Sequence, residues 1–141
     1  MHRVAIIKDR PDYRVFADLL FGENRNVDSE GNSNPVNSRS WSGLYLKDRE
    51  SKEPHVEILG LDENPEVFEV ISESSELEEL TALYLFLFSG SNIEVDAKKL
   101  VQSQIKLLKD KYALQLQRAG NSIWHLSSNE NPYPNLAQST I

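Results

Sequence analysis

Residues 63–90 read ENPEVFEVISESSELEELTALYLFLFSG, and the period of the apolar residues changes inside this stretch. Up to Ser72 the residues alternate, with Phe68 and Val70 on one side and Val67 and Ile71 on the other, which is a strand over 66–72. Ser75 and Glu78 then have the spacing of a capping box, in which hydroxyl and carboxylate satisfy orphan backbone N–H groups reciprocally. Leu77, Leu80, Tyr84, Leu87 and Phe88 follow at helical spacing, while Leu83, Leu85 and Phe86 carry the apolar surface round the cylinder. Gly90 stops the run. A helix apolar on nearly every side is buried on several, so 75–89 is expected at the centre of the core.

Working upstream, His55–Leu61 alternates with Val56 and Ile58 on one side and Leu59 and Leu61 on the other. Trp41–Lys47 is a further strand, separated from it by the polar turn 48–54, and Asp62-Glu63-Asn64-Pro65 is the turn before 66–72. Three such segments in succession predict an antiparallel meander. Residues 3–8 read as a buried strand. Residues 11–21 read as a short helix, with Pro11 at its start and Gly22 as its stop. Residues 22–40 contain almost nothing apolar and are expected as one long polar loop.

Downstream, Asp96 is placed to cap a second helix over 96–110, with Ala97, Leu100, Val101, Ile105 and Leu108 on its apolar stripe. Tyr112, Leu114 and Leu116 alternate with polar residues, Arg118–Asn121 is turn material, and Ile123, Trp124 and Leu126 return. A hairpin of 112–117 and 122–127 is preferred here to one long helix ending at Ala119. The expected fold is therefore α+β: an antiparallel sheet of about four to six strands, two main helices over 75–89 and 96–110, and a C-terminal hairpin. Residues 1–126 would form a single domain, and 127–141 an irregular tail.

The 141 residues carry 15 Lys and Arg against 22 Asp and Glu, a formal charge of −7, and no Cys. That length suits one core. Lack of Cys excludes disulfide scaffolds, thiol catalysis and Cys-ligated metals. The apolar run Leu80–Phe88 is far shorter than the ~20 residues of a membrane span. Only four apolar residues, Val4 to Ile7, follow one another near the start, too few for a secretory leader. A soluble, cytoplasmic protein without a membrane partner is expected.

The charge is concentrated. Residues 61–96 hold ten acids and no base, whereas 97–141 hold six bases and two acids. The acidic stretch attracts cationic partners and repels nucleic acid. As a candidate partner-binding patch it supplies Asp62, Glu63, Glu66, Glu69, Glu73, Glu76 and Glu79, with Trp41, Tyr45 and Trp124 as aromatic anchors.

Catalytic signatures are absent. Gly22 and Gly31, the closest pair of glycines, are nine residues apart, so no phosphate-cradling glycine loop exists. Gly120-Asn121-Ser122 begins like a nucleophile elbow but has no second glycine. Asp28, Glu30, Asn32 and Asn34 alternate like calcium ligands, yet Ser33 and Arg39 occupy the positions that need Gly and Glu. No metal or cofactor is expected. His55 and Glu57, two apart on a strand, would share a face and are the one acid–base pair that a small hydrolase-type enzyme would use.

The leading expectation is a small acidic, non-enzymatic binding protein of the immunity or antitoxin type, masking a basic partner such as a nuclease toxin. The alternative is a winged-helix-like DNA-binding regulator, suggested by the order helix, helix, hairpin and by the basic residues within 97–118. A toxin-like neighbour gene would favour the first, and a salt-dependent shift of random duplex DNA the second.

Overall fold

The computed structural model describes residues 1–31 and 34–136. Among these, seven strands form one sheet in the order β2-β3-β4-β5-β1-β6-β7, every neighbouring pair antiparallel. The strands are β1 His2–Ile6, β2 Val27–Gly31, β3 Gly43–Asp48, β4 Val56–Gly60, β5 Val67–Ser72, β6 Gly90–Val95 and β7 Lys98–Lys99. The helices are α1 Tyr13–Phe21, α2 Ser75–Ser89, α3 Gln102–Lys111 and α4 Ala113–Gly120, followed by a 3₁₀ turn over Ile123–Leu126. The fold is α+β, with one more strand than the upper expectation.

The meander β3-β4-β5 pairs in the expected order, and β1 closes against β5 through His2↔Val70 and Val4↔Phe68. Val4, Leu44, Leu46, Val56, Ile58, Phe68, Val70 and Ile93 point to one face, where all are buried. Helix α2 packs across that face on β1, β4, β5 and β6, and α1 packs on β3. Trp41 lies fully buried between Phe16 and Phe68, with ring centroids 6.0 and 5.9 Å away in edge-to-face contacts. Each such pair adds about 1 kcal/mol beyond its buried area.

Several expectations are corrected. The polar segment 22–40 is not all loop, because β2 pairs with β3 from Val27↔Asp48 to Gly31↔Leu44. An edge strand is held by its backbone ladder, so one valine suffices and composition carries no signal. Asp96 does not cap a helix. It and Ala97 take φ of 50° and 69°, making the tight turn from β6 to β7. The second main helix consequently begins at Gln102 rather than 96, with Gln104 accepting the Val101 N–H at 2.9 Å.

The C-terminal hairpin is absent. Residues 113–120 are helical because Leu116 and Ala119, together with Tyr112 at the N-cap, find α1 and the core to pack on. Leu114, part of the competing alternation, is left 80% exposed. The cap of α2 is also displaced by one residue: Ser74 Oγ accepts the Leu77 N–H at 3.1 Å, so Ser75 and Glu78 form no capping box.

Candidate functional site

All four helices lie on one side of the sheet, so its other face is covered by nothing among the described residues. That face is built from the residues that alternate with the core. Register aligns Tyr45, Glu57 and Ile71 in one row, and Leu59, Glu69, Arg3, Glu94 and Lys99 in the next. Leu59 and Ile71 are 41% and 40% exposed, whereas Ile58 and Val70, one position away, are at 0%. On this face Leu59 and Ile71 stand beside the carboxylates of Glu57 and Glu69.

Five of the seven candidate acidic residues lie on or beside the central strand β5, and of these the register places Glu69 on the uncovered face. Asp62 and Glu63 are exposed in the turn before it, Glu66 is exposed at its start, Glu69 lies mid-strand, and Glu73 is exposed just past its end. At roughly 3.3 Å per residue, Glu66 to Glu73 spans about 23 Å. Glu69 is bridged by Arg3, with Nη2 2.9 Å from Oε2. Glu66 and Glu73 make no ion pair among the described residues, so their charge is uncompensated locally.

The other two acidic residues belong elsewhere. Glu76 and Glu79 stand on α2, on the helix side. Glu79 Oε1 accepts Tyr112 Oη at 2.7 Å and Lys111 Nζ at 3.1 Å. Burial acts to raise its pKa, but these hydrogen bonds and the Lys111 charge outweigh it and hold the carboxyl below its usual value. The same cluster, through burial first and then Glu79, pushes the Tyr112 phenol up to about 12.

The aromatic anchors separate too. Tyr45 lies on the uncovered face, its ring stacked on His55 at 4.4 Å. Trp41 is corrected from anchor to core: it is 1% exposed and donates Nε1–H to the Pro11 carbonyl at 2.8 Å. Trp124 is half-buried on the helix side beneath the Arg14 guanidinium, 4.0 Å from its ring centre. Leu59 and Ile71 were not singled out by sequence, although alternation assigns them the side opposite Ile58 and Val70.

His55 Nε2 does meet Glu57 Oε1 at 3.1 Å, both side chains more than a third exposed. The pair lines none of the described cavities. Among the described residues no cluster of three or more His, Asp or Glu could hold a metal, and Asn32 of the calcium-like run lies outside them. Among the described residues no helix is long and apolar enough to cross a membrane. No protein-family model matches the chain, and no curated protein or solved structure matches it either.

The bases of 97–118 are dispersed. Lys98 and Lys99 form β7, and Lys106 and Lys109 are exposed on α3. Lys111 pairs with Glu79, and Arg118 donates to the Asp18 and Leu19 carbonyls that end α1. The wing on which the winged-helix order depended is the helix α4 and the 3₁₀ turn.

Proposed function

We propose that this protein is a small, non-catalytic binding protein of the cytoplasm, of inhibitor or immunity type, that covers a basic protein partner with the uncovered face of its sheet. The observation that carries this reading is the helix-free face on which the register sets Glu57, Glu69 and Glu94 beside the exposed Leu59 and Ile71 and the half-buried Tyr45, with Glu66 and Glu73 exposed at the two ends of β5. Carboxylates without local counter-charges steer a cationic surface into encounter and speed association. Desolvating the aliphatic centre then supplies affinity that the rim charges alone do not.

The test is a partner captured by cross-linking in the native cell, followed by hydrogen-exchange footprinting of the complex. The reading expects a partner with pI above about 9 whose footprint covers β3, β4 and β5. It also expects Glu66→Lys with Glu73→Lys to fold normally and lose most of the association rate. A footprint on the helices, or a rate indifferent to that double reversal, would overturn it.

A further inference from the structure

On the helix side, where β3 ends and α2 begins, a cleft of about 590 Å³ opens between α1, α2, α4 and the loop 49–55. Its apolar wall comes from Leu20, Phe21 and Leu77, each only half-buried, and from the exposed Leu114 of α4. Exposed aliphatic and aromatic surface inside a concavity favours a ligand with an apolar body.

The charges in the cleft are not equivalent. Arg25 donates to the nearly buried Asp48, with Nη2 2.9 Å from Oδ2. Arg118 is held by the two carbonyls at the end of α1. Both guanidiniums therefore already have acceptors within the chain. Glu53 and Glu76 also line the cleft, are exposed, and make no ion pair among the described residues. An anion would meet these two carboxylates, and a purely apolar ligand would desolvate them without replacing their hydrogen bonds. A chain with a cationic end satisfies both the wall and the carboxylates, and the Phe21 ring adds a face for the cation.

We propose that this cleft is a binding site for an alkyl chain ending in an ammonium or guanidinium group. The site is separate from the uncovered sheet face and stands without it. Two sources carry this chemistry, free aliphatic amines of the polyamine class and the Lys or Arg side chains of a protein.

The probes are agmatine, hexylamine, hexanoate and a capped Gly-Arg-Gly peptide, titrated into the full chain with the leucine methyl resonances as readout. Agmatine and hexylamine should shift Leu20, Leu77 and Leu114 saturably, and hexanoate should not. Glu53→Gln with Glu76→Gln, both at exposed positions, should leave the melting temperature unchanged and raise the agmatine Kd about fivefold. Equal binding of the peptide and agmatine supports the site with a protein side chain as source, and binding of agmatine alone supports it with a free amine. Binding of hexanoate as strong as that of hexylamine would overturn the proposal. So would an agmatine Kd unmoved by the double substitution, or no shift with either amine at about 50 mM.

Discussion

At the scale of single residues, buried carboxylates do more to join the layers than to meet ligands. Asp18 of α1, 5% exposed, accepts Ser122 Oγ at 2.7 Å and ties α1 to the 3₁₀ turn. Burial raises its pKa above 3.8, and the Ser122 hydrogen bond only partly offsets this. A carboxyl with a raised folded-state pKa contributes fully below its unfolded pKa and loses that contribution as pH rises through the folded value. Asp18→Asn keeps an acceptor for Ser122 without the charge. It should therefore be more stable than the parent in urea unfolding at pH 7, with the gain gone by about pH 3.5. Glu78 ties α2 to β1 and to the end of β5. Its carboxylate receives the Ser72 N–H at 3.2 Å and lies 2.5 Å from His2 Nδ1, while His2 Nε2 is buried with no partner among the described residues. Glu78→Ala would orphan the whole imidazole and a backbone donor, so unfolding should show a loss of about 2–4 kcal/mol. Sequence spacing pointed Glu78 at a helix cap because its true partner, His2, is 76 residues away.

At the scale of elements, the sequence spoke clearly where side chains had to decide and was silent where the backbone did. The strands β3, β4 and β5 and the helix α2 are all readable, since each must bury a face rich in aliphatics. β6 was missed because only Ile93 of its six residues is fully buried, and its place beside β1 comes from ladder hydrogen bonds. The passage from α2 into β6 turns on Gly90, where a Cβ would come within 2.9 Å of Phe86 Cα and Val4 Cγ1 and 3.0 Å of the Ala5 carbonyl. Gly90→Ala must push α2 off β1, and denaturant titration should show a loss of about 1–3 kcal/mol. The following turn is suboptimal in the other direction. Ala97, at φ 69°, holds a left-handed conformation that a Cβ opposes. Ala97→Gly should therefore stabilise by about 0.5–1 kcal/mol in the same titration, against the usual cost of added chain entropy. A Gly at 97 would have given the Asp-Gly signal of a two-residue hairpin, and Ala withholds it.

At the scale of the molecule, one sheet separates a helical layer from an open face, and the sequence left undecided which face was which. The alternation in β4 and β5 is apolar on both sides: Ile58 against Leu59, Val70 against Ile71. Only the three-dimensional position of α2 settles that Ile58 and Val70 face the core. The same ambiguity hid the candidate site, since nothing in the alternation marks the side of Leu59 and Ile71 as the wet one. A sheet with a period of two converts this into a sharp contrast between neighbours. Leu59→Lys combined with Ile71→Lys places cations where water already reaches, beside Glu57 and Glu69. Urea unfolding should find that variant within about 1 kcal/mol of the parent, with unchanged circular dichroism. Ile58→Lys or Val70→Lys, shifted by one residue, buries an unpaired charge under α2 and should not yield a folded protein at all. If the first pair unfolds the chain as well, those aliphatics are structural and the face is covered in a way the monomer does not show. If it folds but no longer holds the cross-linked partner, the two leucine-sized side chains are being kept at a wet surface for binding, because the fold has no need of them there.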